Sequence, residues 1–331
     1  MVKLFNKILN ILKQYKNIFN ILINNKILKK PDFSEKRIFL NGKILEQNNL
    51  KKKRIKFLKE IEFSVFSQNG EDGILSWIID KIQDIENIFV EIGTEDYWES
   101  NTRFLLKSRN WKGYLFEGSK ESSQLIKRQK IYWQHNLKVV NIYLNRENIN
   151  AELKKNISEK NIGLLSIDVD GIDYWLLKEL NILKPKIIVC EYNTLFGDLH
   201  GITVPYDKDF KRFEKHKSNL YFGASIKAMI DLLKDKGYEL LGTTSNGINA
   251  FFVRNDYSDI FQNIIEEKEY LPSNIREGRD KDYKLTFKNN LENFEEIKNL
   301  QIYDTKNNKI KFLREFEEIY SKEWLAKSNY T

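Results

Sequence analysis

The chain predicts an α/β fold: a mostly parallel sheet closed by an antiparallel hairpin. Three observations carry this. Short β-rich runs alternate with segments of helical spacing from about residue 63 onward. Those runs are nearly continuous in apolar residues, as strands covered on both faces are. Near the end of this region YELLG and INAFFVR flank TTSNG (243–247), which reads as a hairpin.

The elements follow in order. The segment before Asp32 has apolar residues at 4, 5, 8, 9, 11, 12, 15, 18, 19 and 22, the spacing of an amphipathic helix. Lysines interrupt it too often for a membrane-spanning helix. Its expected partner, through residues 1–30, is an anionic membrane surface, the protein's own body or a second copy. KKKRIKFLK (51–59) is a solvated basic face or a linker. Residues 1–60 hold 16 Lys/Arg against 4 Asp/Glu, so a total charge of +8 leaves the rest of the chain near −4. The basic character therefore belongs to the N-terminal extension, and a nucleic-acid partner is not expected. Strands are expected at 88–92, 113–117, 137–141, 163–168 and 185–191, with helices between them, for example on Ile74, Leu75, Ile78, Ile79 and Ile82. Residues 192–222 read as irregular, with Gly197, Gly201 and Pro205, and a helix follows at 224–237. Past 256 the pattern predicts a charged, helical appendage. The expected divisions are thus 1–60, 61–255 and 256–331. Cys190 is the single cysteine, so no disulfide or Cys-based zinc site forms within one chain. This suits a cytoplasmic location, peripheral at the inner membrane face if the first helix meets lipid. Three histidines argue against a His-rich metal site.

Ligands of open α/β sheets bind outside the carboxyl ends of the strands. The first strand ends at Glu91, before Gly93; the second ends at Glu117, about twenty-six residues later. An acid so placed accepts hydrogen bonds from ribose hydroxyls, and the glycine lets backbone approach a ligand. The plainer alternatives are a turn glycine and a helix-proximal acid. Glu95 and Tyr97 stand where a dinucleotide fingerprint has glycine, and the acids of this loop favour a cationic ligand over a pyrophosphate. The stretch GLLSIDVDGIDYW (163–175) ends a strand in Asp168, Asp170 and Asp173. Asp173 reads as a helix cap. Asp168, Asp170, Glu191 and Asn193 lie at neighbouring strand ends and offer oxygen ligands for Mg²⁺ or Mn²⁺. Without a metal, Asp168 or Glu191 is the candidate general base. Ser67, Gln68, Glu71 and Asp72 either fold over a ligand or cap the helix they precede. His200 is an acid–base candidate on a substrate lid, or a surface residue.

SQNGEDGIL (67–75), FVEIGTEDYWESNTRFLL (89–106), GYLFEGS (113–119), LLSIDVDGIDYWLLK (164–178), IIVCEYN (187–193) and GINAFFVR (247–254) together resemble class I S-adenosylmethionine-dependent methyltransferases, most closely FkbM-type and related bacterial ones. The resemblance covers roughly 63–255 and implies a Rossmann-like sheet. It implies that Glu91 and Gly93 belong to the cofactor loop and that Glu117 binds the cofactor ribose; Gln68, Glu71 and Asn141 are further candidate cofactor contacts. It further implies an acid near the reacting methyl, at Asp168; Glu191 and His200 are the other candidate catalytic residues. The set Asp168, Asp170, Glu191 and Asn193 resembles the ligands of metal-dependent O-methyltransferases. The expected acceptor is a sugar hydroxyl of a surface glycan or its precursor. The loop departs from the family at Glu95-Asp96-Tyr97. Two rival readings stand beside this one. Asp168-Val169-Asp170 also matches the D-x-D motif of metal-dependent glycosyltransferases, and the atypical loop would suit a non-catalytic binding protein of the same fold.

Overall fold

The computed structural model describes residues 33–328. The amphipathic segment expected at 1–30 lies outside the described residues. No helix of the described residues is long and apolar enough to cross a membrane.

Seven strands form the main sheet: β1 (Ile88–Ile92), β2 (Lys112–Glu117), β3 (Leu137–Asn141), β4 (Asn161–Ile167), β5 (Lys184–Glu191), β7 (Tyr238–Thr243) and β8 (Asn249–Arg254). β6 (Ile202–Thr203) lies outside it. The order is β3-β2-β1-β4-β5-β8-β7. The first five strands pair in parallel, and β8 and β7 close the sheet in antiparallel register. This is the Rossmann-like sheet expected, mostly parallel and closed by an antiparallel pair. Order and register follow from burial. Val90, Ile92, Leu165, Ile167 and Ile188 point into one core, and Phe89, Leu115, Leu164, Ile187 and Val189 into the other. Because side chains alternate along a strand, a one-residue slip would exchange the two cores. Ile92 therefore lies beside Phe116 and Ile167, and Ile167 beside Cys190, so the strand tips form one row. Cys190 itself is buried, and burial pushes its thiol well above the usual range.

Among the described residues, the helical extensions expected are present, with additions. Helix Phe33–Leu50 is present, but Ile55 bridges to Ile265 and ties the following segment to the body. Residues 256–331 were expected to be helical; their described part contains short helices and also a hairpin, β9 (Gln301–Asp304) and β10 (Lys309–Phe312). β9 pairs with β6 from the segment read as irregular, giving a second, three-stranded sheet. Ile202, Val204, Leu220, Ile297, Ile302 and Leu313 form its own small core. That core supports the segment overhanging the strand tips.

Candidate active site

The strand tips open into a cleft of about 860 Å³ lined by Glu91, Gly93, Glu117, Asp168 and Glu191, among others. The expected convergence of these acids on one hollow is what the structure shows.

Gly93 forms the floor. Its φ is +79°, and a Cβ there would lie 1.6 Å from the Asp168 carbonyl oxygen. Only glycine permits this approach of the β1 and β4 tips. Glu91 is buried beneath it, accepting from Ser100 Oγ (2.7 Å), the Asn101 amide (3.1 Å) and Thr102 Oγ1. Burial outweighs those donors and pushes its carboxyl up to about 7. Glu91 thus holds the 100–102 turn, a role the Ser-Asn-Thr run nine residues later could have signalled.

Glu117 accepts the Thr94 amide on one oxygen (3.0 Å) and the Ser119 amide on the other (2.7 Å). This fixes its carboxylate at the β2 tip, with Phe116, Ile142, Tyr143 and Leu144 as apolar neighbours in the cleft lining. Tyr143 is missing from the sequence reading; its ring would meet a Cβ on Gly118 at 2.5 Å, so Gly118 makes room for it. Asn141 is exposed, and its amide donates to the Glu117 and Gly118 carbonyls (2.9 Å each). It shapes the β2 turn and is not among the residues lining the cleft.

The glycine-poor loop has a physical account. Glu95 and Tyr97 take left-handed backbone at φ +44° and +63°. Tyr97 is fully buried, its hydroxyl on Thr102 Oγ1 (2.9 Å), while the buried Arg103 donates to the Tyr97 carbonyl (2.7 Å) and to Gln129 (2.9 Å). The Tyr97 anchor holds backbone that glycine would otherwise adopt freely.

At the N-terminal edge Gln68 lines the cleft. Glu71 is buried and accepts from the Asn69 amide (2.8 Å) and Asn249 Nδ2 (2.7 Å), which links the helix start to β8. Asp72 accepts the Val65, Phe66 and Ser67 amides at 2.7, 2.7 and 3.1 Å. Neither acid caps the helix Glu71–Lys81, whose N-cap is Gly70 with no side-chain cap; both bind the loop before it instead.

Opposite Glu117, one carboxylate oxygen from each of Asp168, Asp170 and Glu191 lies within 4.8 Å of the others. Burial and mutual repulsion push Asp168 and Glu191 well above the usual carboxylate range, and Arg212 pulls both back. Glu191 Oε2 is buried with no hydrogen-bond partner among the described residues. Asp173 accepts the Val169 amide (2.8 Å) and the Gly171 amide (3.1 Å), so it closes the turn before the helix Asp173–Glu179 and does not cap that helix as expected, the N-cap being Ile172.

The four-ligand metal set does not form as expected. Asn193 is buried, donates to the Leu220 and Phe222 carbonyls (2.9 Å each) and accepts the Leu195 amide (3.0 Å). Its donors and acceptor are engaged with backbone, so it braces the overhanging segment. Asp170 accepts from Arg212 Nη1 at 2.8 Å. His200 is also displaced from the chemistry: its Nε2 meets the Glu318 carbonyl (2.7 Å) and its ring packs on Phe316. It is absent from the cleft lining, because the second sheet draws residues 198–204 away from the strand tips. Arg212, unmarked in the sequence reading, has only a weak signal there, a basic residue between Phe210 and Phe213.

No protein-family model matches the chain, and no curated protein matches it. Among solved structures, it is similar to the O-methyltransferase from Bacillus cereus in complex with SAH, at 12% identity over 69% of this chain and 92% of that one, TM-score 0.34. It is similar to the pyocyanin biosynthetic protein PhzM at 9% identity over 52% of each chain, TM-score 0.33. A chain in the complex of the Haloferax volcanii Trm112 methyltransferase activator matches at 14% identity over 47% of this chain, TM-score 0.30. This chain spans 63% of the length of that last match and about half of PhzM. At such values the likeness concerns the fold alone.

Proposed function

We propose that the protein is an S-adenosylmethionine-dependent methyltransferase acting on a hydroxyl group. The observation that carries this is the shared cleft: Glu117 fixed at the β2 tip on one side, Asp168 and Glu191 on the other, Gly93 between them. Glu117 would accept from the ribose hydroxyls, with Tyr143, Ile142 and Leu144 beside the adenine. The acidic surroundings suit a sulfonium and an ammonium group better than a pyrophosphate.

In the transfer, a lone pair of the acceptor oxygen forms the O–CH₃ bond as the S–CH₃ bond breaks, and the sulfonium becomes a neutral thioether. The hydroxyl proton passes to Asp168 or Glu191. Their raised proton affinity makes either a better base than an ordinary carboxylate. The other end of the cleft mixes Phe210 and Phe222 with Lys208, Ser273, Asn290 and Asn293. Aromatic faces among donors and acceptors of this kind support a sugar acceptor, free or as a glycan precursor.

Incubation with methyl-labelled S-adenosylmethionine and a panel of sugars and nucleotide sugars tests this. Transfer of label to a sugar hydroxyl is the expected result. Thermal stabilisation by UDP- or GDP-sugars with Mn²⁺, without response to S-adenosylmethionine, would instead favour the D-x-D reading.

A further inference from the structure

Three acids with carboxylate oxygens within 4.8 Å of one another repel when ionised, and a positive charge close by relieves that. Arg212 supplies one. Its Nη1 donates to Asp170 at 2.8 Å, its Nη2 pairs with Glu277 at 2.7 Å and its Nε donates to the Asn219 carbonyl at 2.6 Å. Its guanidinium lies 3.6 Å from the centroid of the Phe222 ring. Nε and Nη1 are hydrogen-bonded and Nη2 is ion-paired, so the planar group is held in place. The other cleft-lining cation with an ion pair here, Lys211, faces Glu214 at 3.0 Å.

We propose that Arg212 is the resident counter-cation of Asp168, Asp170 and Glu191, and that it holds the place a divalent ion would take. Mg²⁺ or Mn²⁺ seeks about six oxygen ligands. Here Asn193 is turned to backbone carbonyls, and Asp170 is already bonded to a fixed positive charge. A divalent ion among the acids would sit against that guanidinium. Arg212 also joins the β4 tip to the overhanging segment and, through Glu277, to the C-terminal region, so the same contacts set the wall facing the acceptor. It acts as a positioning residue.

This inference concerns the same cleft as the proposed transfer reaction but rests on ion pairs, so its test needs no turnover. The measurement is Mn²⁺ uptake by electron paramagnetic resonance on the full chain, for the wild type, Arg212→Ala, Arg212→Lys and Glu277→Gln, each checked for folding by circular dichroism. Wild type, Arg212→Lys and Glu277→Gln retain a cation beside Asp170 and are expected to take up no stoichiometric Mn²⁺. Arg212→Ala frees the carboxylates and is expected to gain one Mn²⁺ per chain, lost again on adding Glu191→Gln. Stoichiometric Mn²⁺ uptake by the wild type would overturn the proposal. So would a folded Arg212→Ala variant that gains none. If Arg212→Ala does not fold, uptake by wild type and Glu277→Gln decides the matter alone.

Discussion

At the scale of single residues, close approach and burial decide what each side chain does. Gly93→Ala would push a methyl into the Asp168 carbonyl while holding φ at +79°. Overpacking and the left-handed backbone together should cost about 2–4 kcal/mol, readable as a lower urea midpoint. Glu91 titrates near neutrality. Its folded pKa of about 7 exceeds its ordinary value of 4.5, so its contribution to stability is full below about 4.5 and is lost as pH rises through about 7. Glu91→Gln should flatten that part of the stability–pH profile, since the Ser100 and Thr102 hydroxyls can reorient to meet an amide. Asp72, also pushed up to about 7, adds a slope of the same sign, so the flattening will be partial. His200→Ala should leave donor binding and methyl transfer unchanged, because the ring faces Glu318 and Phe316. A loss of transfer without loss of folding would return His200 to the chemistry.

At the scale of elements, the main sheet was legible because its inner strands are buried on both faces and read as continuous apolar runs. IFVEI, GYLFE and LKVVN match β1, β2 and β3 residue for residue or within one. The second sheet was not legible. β6 has two residues, and β10 (KIKF) buries none of its four. Its pairing of Ile202 with Asp304 spans about a hundred residues, which no local periodicity reports. That pairing explains the misreading of His200, whose segment is drawn to β9 and not over the cleft. The same distance hid Arg212, whose partners Asp170 and Glu277 come from two other segments. By contrast, Glu117 could be placed from its position after β2 alone. The small core should matter energetically. Ile302 is fully buried in it, and Ile302→Ala should cost about 2–5 kcal/mol, seen as a lower melting temperature.

At the scale of the whole molecule, two sheets share one task. The main sheet lines up its carboxyl ends, and the second sheet with the C-terminal region supports the wall that faces them. The N-terminal segment is stitched to the body by the Ile55–Ile265 bridge and by the Trp77 indole, which donates to the Lys52 carbonyl at 3.0 Å. The result is an acidic cleft with an aromatic and cationic overhang, a shape suited to the cationic donor and polar acceptor proposed above. Titration calorimetry with S-adenosylhomocysteine tests this most directly. The account predicts one molecule bound per chain, and about 10–100-fold weaker binding in Glu117→Gln, the worth of hydrogen bonds to a charged group. Absence of heat at high micromolar ligand, or binding indifferent to Glu117→Gln, would contradict it.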